Sequence, residues 1–477
     1  MKKTLAFLLG LILMVGTISA CSNSPTTSTT IAPVSTTTAI SSTTALMTTA
    51  ASTAPAKATT INVWCNNAAD KVEWDQTIKK FNETNTKGIT IVYNVYGSDW
   101  QTVIDTAIAA GSEPEIYKSA KTKQYVDMGK LLPLNELTGI DDVLKANEKF
   151  QTNNLTMFGG KVYSIPFHRT AFAMIYNTDL LTKAGFSAPP ATWADMVKIA
   201  KAESEVSPGK VYGTAMPCKY TNYHDSYIMT SAVPSIGHFQ FDAADGKYKF
   251  ADLLPYFNEL ILPIIKNGSL FPGAGTLDND TLRAQFAEGN IGMYFAGSYD
   301  VGVLYDQFPA KVKWAVAPMP VRDASKKFNN VLTPGSLFVV DVKVKTQGLL
   351  SQAGEVLRLF DSKELLQLLY TNGKDIAINP ETITGAPESS RPQWNDFVKL
   401  SANSVMRAPF PESLFAVEGD TYYTVFTKII AGQADPATAL ADLDTRYTAA
   451  LNKAVAAGTI KLSDFINPAY DDAFIIK

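Results

Sequence analysis

A body of two lobes, each a mainly parallel sheet flanked by helices, is the α/β fold that this chain of 477 residues predicts. Three observations lead there. From Thr60 onward, short apolar runs of strand length alternate with longer segments of helical period, the order that builds a largely parallel sheet with helices on its faces. The body from about Ile61 to Lys477 is too long for a single hydrophobic core. Between Gly159 and Lys201 the chain reads strand, hinge, strand, helix, helix, with Pro166-Phe167-His168-Arg169 holding the two strands apart.

Residues 1–20 carry Lys2 and Lys3, an apolar run from Leu5 to Val15 and small residues up to Cys21. A positive start with a short greasy middle is an export signal, since crossing a bilayer takes about 20 apolar residues. Ile18-Ser19-Ala20-Cys21 resembles a bacterial lipobox, which implies lipidation of Cys21 and attachment to the membrane through it. Residues 21–60 are almost entirely Ser, Thr, Ala and Pro with one charge, Lys57, and are expected to stay disordered as a tether. Such a coil has ends on the order of 35 Å apart and reaches roughly 130 Å when stretched.

In the body, Thr60 to Cys65 alternates as a first strand and Asn66-Asn67 end it. A helix follows over about Lys71 to Asn82, with Val72, Ile78 and Phe81 expected inward. Ile89 to Tyr96 is the second strand, Trp100 to Ala110 a helix stopped by Gly111, and Glu113 to Tyr117 the third strand. Ala171 to Tyr176 is apolar nearly throughout, as a strand covered on both faces should be, and Asn177-Thr178-Asp179 offers side-chain oxygens to cap a helix. Thr192-Trp193-Ala194-Asp195 opens another helix, whose Trp193, Met196, Val197 and Ala200 share one face. Later strands are expected at Val211–Met216, Ile291–Phe295, Lys313–Val316 and Leu337–Val342. Leu253 to Ile265 reads as a helix interrupted by Pro255 and Pro263.

The run GGKVYSIP followed by MIYNTDLLTKAGFSAPPATWADM resembles the family 1 extracellular solute-binding proteins of bacterial ABC importers, the maltose-binding-protein-like group. FAEGNIGMYFAGSYD and TVFTKIIAGQADPATALADLDTRY are similar to two further blocks of that family. The resemblance implies a two-lobed, type II periplasmic-binding-protein-like fold with three hinge crossovers, near Pro166, Pro334 and Gly373. The lobes it implies are residues 61–165 with 336–378, and residues 166–335 with 379–477. It also implies a carbohydrate ligand, mono- or oligosaccharide, an ABC permease as partner and the outer face of a bacterial cell membrane as location. Two sugar-stacking aromatics of the family fall on Tyr299 and Tyr422.

Sugars present a face of C–H groups and a rim of hydroxyls, so a receptor needs flat rings and planar hydrogen-bonding groups. At strand ends and in the resembling blocks, Trp64, Phe167, Tyr223, Tyr299 and Tyr422 are the candidate rings. Asn66, Asn67, Ser119, Lys121, His168, Arg169, Asn222 and Ser298 are the candidate polar contacts. No phosphate-binding loop, H-E-x-x-H, G-x-S-x-G, C-x-x-C or dinucleotide fingerprint occurs, and His168, His224 and His238 lack metal-ligand spacing. No catalytic residue, metal or cofactor is therefore expected. A net charge of −3 without a basic block argues against nucleic acid. Cys65 and Cys218 are expected as unlinked thiols, and the protein as a monomer. A polysaccharide-active secreted enzyme, and a binding protein for another solute or for sensing, are the competing readings.

Overall fold

The computed structural model describes residues 58–97, 99–219, 223–335, 337–402 and 404–468. The signal, the tether up to residue 57, Cys21 and Asn222 lie outside the described residues, and the expected tether's last residues, Thr59 and Thr60, belong to a strand. In chain order the first strands are β1 (Thr59–Cys65), β2 (Ile89–Val95) and β3 (Ile116–Lys118). β1 lies between β2 and β3 and is parallel to both, in a register that sets Thr59 against Ile89 and Val63 against Ile116. Its alternation works as read: Ile61, Val63 and Cys65 are buried. Helix α1 (Lys71–Thr84) connects β1 to β2 and turns Ile78 and Phe81 toward the core as its sequence suggests, but not Val72. Val72 is 72% exposed, and Trp74 takes the inner place, donating from Nε1 to Asp70 at 2.7 Å and stacking on Tyr93. A full-sized ring with a buried acceptor outweighs the smaller valine in choosing the face.

After α2 (Trp100–Ala110) and β3, the chain reaches β4 (His168–Asn177), the longest strand. β5 (Tyr212–Thr214), β6 (Ile291–Gly297), β7 (Trp314–Ala317) and β8 (Val331–Gly335) follow in the second lobe. β9 (Phe338–Val340) returns to pair antiparallel with β3, completing a first sheet in the order β9-β3-β1-β2. β10 (Ile376–Ala377) and β11 (Val405–Met406) rejoin the second. The first sheet is mainly parallel, as expected. The second departs from the expectation, because β6, β7, β8 and β10 all pair antiparallel with β4. Only β5 on β6 and β11 on β8 are parallel in it. Each of these later strands returns against the direction of β4, whose ten residues offer two successive partners along each edge.

Local signals operate as their chemistry dictates. Asn177 Oδ1 accepts from Leu180 N at 2.9 Å, and Thr192 with Asp195 forms a reciprocal capping box on α3 (Trp193–Val206). Pro255 and Pro263 each occupy the first turn of a short helix, with a π-helical turn over Phe257–Ile261 between them, so the chain stays helical where an interruption was expected.

Each lobe has its own core. One draws on Ile61 to Phe167 and again on Phe338 to Ala377, and two others on residues between Ala171 and Phe465. Cys65 and Cys218 are free and buried, and burial pushes the Cys218 thiol up to about 12. No helix among the described residues is long and apolar enough to cross a membrane.

The three crossovers meet at the start of β4. His168 pairs with Gly335 and Ala377, and Arg169 with Pro334 and Ile376, so the connections form one short ribbon. A Cβ at Gly335 would lie 2.5 Å from the His168 ring, which is why glycine stands there.

Candidate functional site

Over this ribbon lies a cleft of about 420 Å³ with walls from both lobes. Ser119 to Gln124, leaving the carboxyl end of β3, form one wall with Asn154, Leu155 and Phe158. Strand ends of this kind are where open α/β sheets collect ligands. Thr333, Pro334 and Leu337 of the crossover line it, and Arg407 to Phe410 with Ser413 and Leu414 make the opposite wall.

The first wall is pinned from behind. Ala120 N donates to Gln101 Oε1 at 2.9 Å, Lys121 N to Ser119 Oγ at 3.0 Å, and Lys121 Nζ meets Asp105 at 2.7 Å. Burial pushes the Asp105 carboxyl up, but donors from Lys121, Tyr125 and Gln101 together hold it below its ordinary value. On the second wall, Arg407 N donates to Leu332 O at 2.8 Å, and the guanidinium lies 3.9 Å from the centre of the Phe410 ring and 4.8 Å from that of Phe239. Asn154, in a left-handed conformation at φ 61°, donates from Nδ2 to Asp464 O at 3.2 Å, linking the lobes.

A second polar group is sealed at the crossovers. Lys118 Nζ donates to Asn67 Oδ1 at 3.0 Å, His168 Nδ1 lies 3.1 Å from Asp375, and Asp70 sits beside Asp375 under Trp74. Burial, aided by Lys118, drives His168 down to about 3, so its ring is neutral; burial raises Asp375 to about 6. Lys374 reaches Ala69 O at 3.0 Å and Asp306 at 2.5 Å, tying the two lobes to the third crossover. Among the described residues no group of His, Cys, Asp and Glu could hold a metal ion.

Residues 67–347 match the model of the bacterial extracellular solute-binding proteins, more than half of the chain. The chain belongs to this family. Over 392 residues it is 23% identical to a binding protein of Brucella abortus, covering 79% of this chain and 90% of that one. It is 24% identical over 267 residues to the maltotriose-binding protein of Pyrococcus abyssi, covering 54% and 53%. Among solved structures, the maltose-bound MalE3 of T. maritima superposes with a TM-score of 0.64 at 16% identity, over 82% of this chain and 99% of that one.

In this solute-binding protein, the structure brings Ser119 and Lys121 to the cleft. It sends the other candidates elsewhere. Asn67 and His168 belong to the sealed group, and Asn66 is half-buried in the loop beside it. Trp64 is half-buried against Tyr96. Arg169 is half-buried in the crossover ribbon. Ser298 is buried, its backbone N donating to Ala171 O at 2.8 Å. Tyr299 is half-buried, with its hydroxyl on that of Tyr227 and the Arg283 guanidinium over its ring.

Three rings need correction, because packing claims them. Phe167 is 1% exposed against Phe338 and Phe360 in the first lobe's core. Tyr223 stacks on Tyr227, and Tyr422 packs among Phe250, Phe426 and Tyr447 with its backbone N donating to the Tyr447 oxygen. Burying an aromatic of this size on all sides leaves no face for a ligand.

Phe410, Arg407, Gln124, Asn154 and Ser413 are among the cleft residues that sequence reading missed. Phe410 carried a usable signal, a lone aromatic between Pro409 and Pro411, which is how a ring is held at a surface.

Proposed function

We propose that this solute-binding protein captures a carbohydrate in the cleft over the crossovers and passes it to an ABC permease. The observation that carries the reading is the cleft's construction, with a wall from each lobe and the crossover ribbon between them. A ligand touching both walls favours the closed arrangement, because only then are both sets of contacts made. Phe410 offers a half-buried ring, and Ser119, Gln124, Asn154 and Ser413 offer hydroxyls and amides to a sugar rim. The ligands of similar proteins, maltotriose and maltose, support the carbohydrate class.

On this reading, the chain is exported, lipidated on Cys21 and held on the outer face of the cell membrane by the Ser/Thr-rich segment, working as a monomer. Calorimetric titration against neutral and acidic mono- and oligosaccharides tests it. Binding of at least one sugar at micromolar affinity is expected. Binding of a peptide or polyamine, with no response to any sugar, would contradict it. Incorporation of labelled fatty acid that is lost in Cys21→Ala tests the anchor.

A further inference from the structure

β2 is the last strand of the first sheet, and among the described residues its strand partner is β1 alone. A strand in that position presents a row of N–H and C=O groups to which another chain can add. Its composition invites such pairing. Ile89–Val95 reads ITIVYNV, without a charge, a glycine or a proline and mostly β-branched, the make-up of segments that stack into sheets between molecules. Ile89 and Ile91 are buried against the core, while Thr90 and Val92, the latter 40% exposed, stand on the other face.

The outer edge is nevertheless filled. In a parallel pair, alternate residues bond the partner strand and those between them face away. Gly88 O accepts from Thr59 N and Tyr96 N donates to Cys65 O, each at 2.8 Å, so the backbones of Ile89, Ile91 and Tyr93 face outward. Asn82, on the last turn of α1, meets Ile91 with both ends of its amide: Oδ1 accepts from Ile91 N at 2.8 Å and Nδ2 donates to Ile91 O at 2.9 Å. Asn85, just past the helix, does the same for Ile89 at 3.0 Å and 2.8 Å. Each side-chain amide stands where the peptide group of a neighbouring strand would. Helix capping explains only part of this, since Asn85 also donates to Phe81 O at 2.9 Å, whereas both Asn82 bonds go to the strand. Further along, at Tyr93, the edge borders a surface hollow lined by Asp75, Lys79 and Glu83, charges that an added strand would have to desolvate.

We propose that the β2 edge is a self-complementary pairing surface, and that Asn82 and Asn85 keep it from joining the same edge of a second copy of this chain. An antiparallel pair about Ile91 would set each β2 against itself under two-fold symmetry, with Thr90 of one copy across from Val92 of the other. The two amides hold the edge's hydrogen bonds within the molecule and so keep the chain single, whatever the cleft binds.

Sedimentation of the full chain tests this, with Cys21→Ala so that no acyl group associates copies, from about 1 µM to about 100 µM. The parent should keep the mass of one chain throughout. Asn82→Ala, and more strongly Asn82→Ala with Asn85→Ala, should climb toward the mass of two chains or more as concentration rises. The amides of Ile91 and Tyr93 should gain hydrogen-exchange protection in step. Adding Val92→Lys, which sets a charge on the exposed face of the strand without restoring either amide, should return the variant to the mass of one chain. Thermal melts report folding, and Asn82→Ala alone, which leaves the Asn85 cap in place, carries the test where the double variant does not fold. Folded variants that keep the mass of one chain at every concentration would overturn the inference, and so would association that Val92→Lys leaves unchanged.

Discussion

The cleft and the sealed polar group lie around the same three crossovers and use the same residue types, yet only the first opens as a cavity between the lobes. In the crossover group, Asn67 bonds Lys118 and Asp70, His168 lies against Asp375, and Asn67, Asp70 and His168 are buried while Lys118 and Asp375 are half-buried. In the cleft, Lys121 is exposed although Asp105 braces it, and Arg407 is half-buried over the Phe410 ring. The difference teaches that an amide or a cation at a strand end is not by itself a binding group. What decides is whether its neighbours leave one side open.

The change that should break the comparison most severely is Gly335→Ala. The added methyl meets the His168 ring inside the crossover ribbon, so a loss of about 2–4 kcal/mol is expected in urea denaturation, with sugar binding weakened as well.

Next comes Glu203, a buried carboxyl of the second lobe whose two oxygens have no hydrogen-bond partner. It fits because Gly292 leaves room for it, and desolvation pushes it up to about 9. A raised carboxyl keeps its proton in the fold while the unfolded chain gives it up, so stability falls as pH rises from about 4.5 to about 9. Glu203→Gln should flatten that slope and raise stability at pH 8 by about 1–3 kcal/mol, read as thermal melts across pH.

Phe410→Ala sharpens the contrast from the other side. Sugar affinity should fall about tenfold while stability changes by less than about 1.5 kcal/mol, measured by titration and denaturation of the same sample. Tyr422→Phe should do least, leaving affinity within about twofold, because the ring is packed in the core. A large loss of sugar binding there would return Tyr422 to the ligand.

Much of the fold could be read in the residues. The alternation of β1, the Asn177 and Thr192 caps and the near-unbroken apolar run of β4 are local signals, fixed by a few neighbouring side chains. The antiparallel pairing around β4 was not legible, since it depends on strands 120 or more residues downstream. Of the candidate cleft's lining, Ser119 and Lys121 were legible, because they follow directly from the end of β3. Phe167 and Tyr422 show why other positions were not: a ring at a plausible chain position is claimed by whichever core lies closer, and that core is assembled from remote segments. Arg407 became visible only once Phe239, some 170 residues earlier, supplied a ring beneath it.

Hydrogen exchange of the body, with and without a saturating bound oligosaccharide, tests the central claim most directly. Protection concentrated in residues 119–124, 333–335 with 337, and 407–414, drawn from both lobes and the crossover at once, is the predicted result. Protection confined to one lobe, or centred on Tyr299 and Tyr422 with the cleft walls unchanged, would contradict it.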